Sequence, residues 1–172
     1  ECVATTMGFS TLDGIPMGTR SGSVDPGVLL HLMREDGASL TELEDLLYNR
    51  SGLLGISGTS QDMRTLLESD DPRAEAAVAF FCYRISRELG SLAAALGGLD
   101  ALVFTGGIGE NAAPVRARVL RQAAWLGLAI DEEANNNAGP CISTGGSTAQ
   151  AWVIATQEEL TIANHTKVVL EL

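Results

Sequence analysis

The fold is decided by residues 101–111, "ALVFTGGIGEN", where a short apolar run ends in three glycines within four positions. A short apolar run that stops at turn residues is typical of a buried strand, and Pro114 then opens a helical pattern. Helical segments alternate with the apolar runs "ALVFT", "LAI" and "AQAWVIA" through the second half of the chain. This alternation predicts an α/β domain with a largely buried sheet.

The first half of the chain is predicted to be mainly helical. A short strand is expected over residues 2–9, followed by extended loops over residues 11–23 and 51–60. The helix starts carry recognisable N-cap signals: Asp25 before Pro26, Ser39 with Glu42 in a capping box, and Asp71 before Pro72. The last of these opens the longest predicted helix, which runs to Gly97.

Composition excludes several classes of function. With 45% hydrophobic and 19% charged residues among 172, the chain is expected to form one globular domain over residues 1–172. A net charge of −11 disfavours nucleic acid and anionic membrane surfaces as partners. No apolar run approaches the length of a membrane span. Three widely spaced cysteines predict neither disulfides nor a zinc site, so a cytoplasmic protein is expected.

The glycine loop allows three interpretations. Gly107, Gly109 and Ala112 fit G-x-G-x-x-A, and Asp131 follows nineteen positions later, as in a dinucleotide-binding fingerprint. Against that, Glu110 lies where a pyrophosphate would approach, and no βαβ unit precedes the motif. The loop could instead bring its backbone amides to the phosphates of another nucleotide. It could also be a tight turn without any ligand.

Three further motifs carry candidate site residues. Arg20 lies between Gly18 and Gly22, where its guanidinium could offer paired donors to a phosphate, although a loop arginine can equally be a solvated charge. Asp62 and Arg64 stand two apart at a helix start, where they could contact a ribose and a purine. A helix-dipole role for Asp62 and a solvated Arg64 would explain the same pattern.

The last motif is "ATQEEL" near the C-terminus. Thr156 and Glu159 fit a capping box, which leaves Glu158 without a structural role. A carboxylate at a strand-to-helix junction could hold Mg²⁺ directly or through water, or could simply interact with the helix dipole.

Together, four segments resemble the ordered signatures of the acetokinase family of acetate and propionate kinases. They are "TTMGFSTLDGIPMGTRSGSVDP", "SGTSQDMRTLLE", "VFTGGIGENAAPVR" and "VIATQEELTIANHT". The resemblance covers essentially the whole chain in the family's order. It implies the RNase H-like α/β domain of the acetate and sugar kinase, Hsp70 and actin superfamily.

The resemblance also implies roles for individual residues. Arg20 matches the family arginine at the transferring phosphoryl group, and Glu158 matches the magnesium-associated glutamate. The adenosine-binding pair is matched by Asp62 and Arg64. The nucleotide loop is matched by Gly107, Ile108, Gly109, Glu110 and Asn111.

The activity implied by the resemblance is reversible, direct in-line phosphoryl transfer from ATP to acetate or propionate, with Mg²⁺. The family's N-terminal phosphate-binding segment and its His-Leu-Gly-Asn-Gly loop are not found in this chain, so the chain is expected to be the C-terminal, nucleotide-binding half, inactive by itself. A non-catalytic nucleotide-binding or dimerisation module is the alternative. A homodimer is expected from the family, with Phe80, Phe81 and Tyr83 of the long helix either in that interface or in the core.

Overall fold

The computed structural model describes residues 1–137 and 139–170, and they form a mixed α/β structure. The helices are α1 (Pro26–Glu35), α2 (Leu40–Asn49), α3 (Gly52–Ser57), α4 (Met63–Leu67), α5 (Pro72–Leu96), α6 (Gly106–Asn111), α7 (Ala113–Gln122), α8 (Glu132–Asn136) and α9 (Glu158–Val169). The strands are β1 (Ala101–Phe104) and β2 (Gln150–Val153).

Local capping signals fix the helices of the first half where the sequence predicts them. Asp25 and Asp71 cap α1 and α5 through their carboxylates, each followed by proline at the first helical position. Ser39 and Glu42 form both hydrogen bonds of the capping box at the start of α2. The predicted end of the long helix at Gly97 is also confirmed.

The core is built around α5, whose inner face packs against α3, α4 and α7. The buried residues of α5 recur at helical spacing: Ala74, Ala77, Val78, Phe81, Cys82, Leu89 and Ala93. Of the three aromatic residues considered for a dimer contact, Phe81 is in this core, whereas Phe80 and Tyr83 are exposed. The homodimer therefore stays a prediction, with only two of the three side chains on the surface.

The sheet consists of β1 and β2, which pair in parallel from Ala101 opposite Gln150 to Phe104 opposite Val153. The other edge of β2 is extended by an antiparallel bridge between Cys141 and Trp152. The connection between the two strands contains α6, α7 and α8, so the predicted strand–helix alternation is confirmed.

Two predictions about the sheet are wrong. The run "LAI" forms one isolated bridge, Ile130 to Ser143, and not a strand, because its pairing with the partner segment extends over a single residue pair. The sheet is also not largely buried, since Ala101 and Val103 of β1 are exposed. The apolar composition of these runs therefore predicts more neighbouring elements than the strands have in the described part of the chain.

The predictions for irregular segments also need correction. No strand forms over residues 2–9; a strand requires a hydrogen-bonded neighbour, and nothing in the described ranges pairs with this segment. The predicted loop over residues 51–60 contains α3, the glycine loop forms α6, and the polar stretch after Asp131 forms α8. Finally, none of the described helices is both long and apolar enough to cross a bilayer.

Candidate functional site

A cavity of about 470 Å³ lies between α4 and α6 and brings together two motifs that are far apart in the sequence. Asp62 and Arg64 line it on the α4 side. Gly107, Ile108 and Asn111 line it on the α6 side. Five of the nine candidate site residues therefore line one cavity.

Asp62 serves both the helix and the cavity. One carboxylate oxygen accepts a hydrogen bond from the backbone N–H of Thr65 at 3.0 Å and thereby caps α4. This hydrogen bond holds the pKa of Asp62 below its ordinary value, so the side chain is a carboxylate at neutral pH. The capping bond uses Oδ1, so the structural and functional interpretations of Asp62 are compatible.

The wall formed by α6 depends on small residues. Gly109 packs so closely on the end of β1 that an added Cβ would approach the carbonyl carbon of Phe104 to 3.3 Å. A Cβ added to Gly107 would meet nothing within 4 Å, since that position faces open space. The side-chain amide of Asn111 donates to the carbonyl of Gly107 at 2.9 Å, which orients Asn111 along the helix.

Glu110 does not line the cavity and joins two elements instead. Its Oε1 accepts hydrogen bonds from the backbone N–H of Gly106 at 2.8 Å, and from the N–H and hydroxyl of Thr156 at 2.9 and 3.1 Å. The Thr156 amide contributes most to holding the pKa of Glu110 below its ordinary value. The N–H at the start of α6 is thus occupied by a side chain of the same helix.

A buried arginine that the sequence analysis missed holds α6 from the side of α7. The Arg116 side chain is 1% exposed and donates through Nη1 to the carbonyls of Gly109 and Glu110, at 3.0 and 2.8 Å. It also donates to the side-chain and backbone oxygens of Asn135 at 2.8 and 2.6 Å. Burial lowers the pKa of Arg116, but a guanidinium remains protonated in proteins. The last turn of α6 therefore lies against a fixed positive charge.

The sequence did contain a signal for Arg116. It lies four residues after Ala112 and four before Leu120, both of which are buried. An arginine at a core-facing position of an amphipathic helix indicates a buried partner. That partner, Asn135, is on α8, which appeared in the sequence only as a polar stretch.

The segment that carries Arg20 is held on the N-terminus of α3. The backbone N–H groups of Ser51, Leu53 and Leu54 donate to carbonyls of residues 17–19 at 2.9 Å. Gly52 has a φ of 60°, and an added Cβ would overlap the carbonyl oxygen of Met17. Only glycine fits at that point. The close approach and the hydrogen bonds from α3 hold the Arg20 loop in its conformation.

Arg20 itself is half-buried and does not line the cavity. Its Nη1 lies 3.8 Å from the sulfur of Met17. The same loop does touch the cavity wall, because a Cβ added to Gly18 would lie 3.2 Å from the carbonyl oxygen of Gln61, the residue before Asp62. The structure therefore places the Arg20 loop beside the cavity, with the guanidinium outside it.

The prediction of a capping box between Thr156 and Glu159 is wrong. The N-cap residue of α9 is Gln157, which makes no side-chain capping bond, and Thr156 is held by Glu110 instead. Glu158 is the first residue of α9, but its side chain lies outside the described part of the structure. Across residues 1–137 and 139–170, no group of three or more His, Cys, Asp or Glu side chains is arranged to hold a metal.

The dinucleotide interpretation of the glycine loop depends on Asp131 as its acidic residue. Asp131 caps α8, where its carboxylate accepts from the N–H of Ala134 at 3.0 Å. Asp131 also follows the isolated bridge at Ile130 instead of a strand, so the spacing from Ala112 does not lead to the strand-end carboxylate that a dinucleotide fingerprint requires.

Comparison with known proteins places this geometry in a family. A sequence model of the acetokinase family matches residues 1–164. An acetate kinase from Rhodopseudomonas palustris is 61% identical over 166 residues, which are 95% of this chain and 42% of the relative. An acetate kinase from Nitrobacter hamburgensis is 52% identical, over 95% of this chain and 41% of the relative. The chain therefore spans less than half the length of the curated relatives it matches.

Solved structures give the same result. A propionate kinase from Francisella tularensis superposes with a TM-score of 0.87 at 42% identity, covering 92% of this chain and 41% of that chain. The acetate kinase of Porphyromonas gingivalis has a TM-score of 0.87 at 38% identity, covering 96% of this chain and 43% of that chain. These neighbours confirm the α/β fold expected from the resemblance, the RNase H-like domain of the acetate and sugar kinase superfamily.

Proposed function

Because the chain belongs to the acetokinase family, we propose that the protein transfers the terminal phosphoryl group of ATP to a short carboxylate, acetate or propionate, reversibly and in line. The observation that carries this proposal is the cavity between α4 and α6, which is lined by both motifs expected to contact adenosine and the nucleotide backbone. Phosphoryl transfer asks a protein mainly for positioning and charge stabilisation, and this site offers both.

The nucleoside occupies the cavity in this proposal. The carboxylate of Asp62 accepts from ribose hydroxyls, and the guanidinium of Arg64 lies against the purine face. The backbone of α6 at Gly107 approaches the nucleotide closely, since no Cβ stands there. The volume of about 470 Å³ is in the usual range of small-molecule sites.

Arg20 supplies charge to the transferring group. Its loop is held by hydrogen bonds to α3 and touches the cavity wall at Gln61. In this proposal the side chain reorients so that its guanidinium reaches the phosphates. A guanidinium offers paired donors that match the equatorial oxygens of a phosphoryl group.

In this proposal, Mg²⁺ would be held by the carboxylate of Glu158 together with phosphate oxygens of the bound nucleotide. Mg²⁺ in kinase sites is held by one or two carboxylates plus substrate oxygens and water, so a single carboxylate at the start of α9 suits it. When bound, the ion would neutralise charge on the phosphates. No cage of three acidic side chains is needed for this arrangement.

Residues outside this chain complete the reaction in our proposal. The relatives are more than twice as long as the matched region, and their remaining length would supply the carboxylate pocket and further phosphate contacts. Residues 1–172 alone form one domain that binds nucleotide without turnover. The complete enzyme is a cytoplasmic homodimer.

The test is an assay of acyl phosphate, trapped as hydroxamate, with the protein expressed from its complete reading frame. We expect activity with ATP, Mg²⁺ and acetate or propionate, and a fall in kcat of about 100-fold or more in Arg20→Ala. Arg34→Ala, an exposed arginine on α1, is the matched control and should leave kcat unchanged. An Arg20→Ala enzyme with the parental kcat would reject the role of Arg20, and absence of acyl phosphate from the parent would reject the proposed function.

A further inference from the structure

We propose that Glu110 is a positioning residue that fixes the start of α9 against the nucleotide-binding helix α6. The inference rests on the proposed function, because its consequence concerns the magnesium ion assigned to Glu158. Glu110 does not line the cavity and acts through Thr156, two residues before Glu158.

The geometry is that of a three-point bridge. A single oxygen of Glu110 receives the N–H of Gly106, at the start of α6, and both the N–H and the hydroxyl of Thr156. All three distances are between 2.8 and 3.1 Å, and hydrogen bonds to a charged acceptor are about twice as strong as neutral ones. The two elements joined are 46 residues apart in the chain.

Other contacts leave the start of α9 weakly held. The described side chains of α9 are all exposed, and Gln157 makes no capping bond. Across residues 1–137 and 139–170, Glu110 is the one side chain of an element other than α9 that hydrogen-bonds to residues 155–157, where it accepts from the N–H and hydroxyl of Thr156. The β2 strand ends at Val153, and its last ladder bond is donated by Ile154 to the carbonyl of Phe104. The carboxylate of Glu110 thus defines the path from β2 into α9.

The base of the bridge is rigid. Glu110 lies on α6, whose last-turn carbonyls are held by the buried guanidinium of Arg116. Because α6 is rigid and α9 is exposed, Glu110 is the residue that sets where α9, and with it Glu158, begins relative to the cavity wall. Partners that orient a metal-binding residue typically change metal affinity by 10- to 100-fold when removed.

The experiment compares Glu110→Ala, Glu110→Gln and the parent protein, all expressed from the complete reading frame. Calorimetric titrations with ADP are run in chelator and at increasing Mg²⁺, and hydrogen–deuterium exchange is followed in α9. We expect Glu110→Ala to raise the Mg²⁺ concentration for half-maximal enhancement of ADP binding by about 10-fold, with ADP affinity in chelator changed less than about twofold. Exchange in α9 should become faster while exchange in α5 stays the same.

Two variants keep the result interpretable. Glu110→Gln retains a neutral acceptor in the same place and should restore part of the Mg²⁺ response, which a loss of folding would not do. Glu44→Gln removes a charge from an exposed position on α2 and should behave as the parent. A folded Glu110→Ala protein with the parental Mg²⁺ response, or with an equal loss of ADP affinity in chelator, would overturn the positioning role alone. A parent that binds no ADP under any condition would overturn the proposed function as well.

Discussion

Helices α6 and α9 meet at the same carboxylate, yet they are stabilised in opposite ways. α6 has three glycines in six residues, which is a poor helix-forming sequence, but its last turn is fixed by the buried Arg116. α9 has twelve residues of ordinary propensity, but its described side chains are all exposed and its N-cap makes no side-chain bond. Tertiary hydrogen bonds, rather than intrinsic propensity, therefore decide which of the two is rigid.

This difference fits the proposed function. In that proposal, a rigid α6 would preserve the shape of the nucleotide cavity, and the exposed body of α9 beyond its anchored start would be free to adjust to a metal–nucleotide complex. Local stability is expected to range from high in the packed core to low in exposed elements of one domain.

Replacing Arg116 by alanine should have the largest effect on stability. The change leaves the carbonyls of Gly109 and Glu110 and the amide oxygen of Asn135 without their donor in a buried place. We expect a loss of about 3 kcal/mol or more in the free energy of unfolding. Arg87→Ala, an exposed position on α5, should change it by less than about 0.5 kcal/mol. Urea denaturation of both variants measures the difference. Equal free energies of unfolding in the two variants would contradict the role of Arg116 in holding α6.

Acidification should release α9 before α6. The folded-state pKa of Glu110 is lowered, so its stabilising contribution is fully present above the ordinary glutamate value of 4.5 and is lost as the pH falls through the lower, folded-state pKa. Arg116 stays protonated in this range, so its hydrogen bonds to the last turn of α6 persist. Hydrogen exchange between pH 6 and pH 3, corrected for the intrinsic rate, should show α9 losing protection first. Simultaneous loss in both helices would contradict the separate anchoring.

Replacing Gln157 by asparagine should have the smallest effect. Asparagine is a preferred N-cap and can accept from the first turn of α9, whereas Gln157 makes no such bond. We expect α9 to gain about 1 kcal/mol of local stability, seen as roughly fivefold slower exchange. Gln157→Ala removes no capping bond and should leave exchange unchanged. A marked acceleration in the alanine variant would show that Gln157 already stabilises the helix.

The sequence was most informative where structure is set locally. The N-caps at Asp25 and Asp71 and the capping box at Ser39 depend on residues within one turn, so their prediction was confirmed. The Asp62 motif and the glycine loop at Gly107 are separate candidates in the sequence, and the fold brings them to one cavity. Their roles in binding stay predictions.

Sequence reasoning failed where distant residues decide. Thr156 fits a capping box, but Glu110, 46 residues earlier, takes its N–H and hydroxyl. The sequence predicts a loop over residues 51–60, whereas α3 forms there with its N-terminal donors bonded to carbonyls of residues 17–19, far away in the sequence. Patterns within one window contain no information about such partners. The core-facing position of Arg116 indicates burial, but it does not reveal that Asn135 and the carbonyls of α6 are its partners.

The central claim is that the cavity between α4 and α6 binds the adenine nucleotide, and its most direct test is a calorimetric titration of Gly107 variants with ADP. An added Cβ at this position touches no protein atom, so Gly107→Leu should fold as well as the parent while filling the space assigned to the nucleotide. We expect ADP affinity to fall by about 10-fold or more, equivalent to about 1.4 kcal/mol, with an unchanged unfolding temperature and no NAD binding in either protein. Parental ADP affinity in the folded leucine variant would place the nucleotide elsewhere and contradict the account.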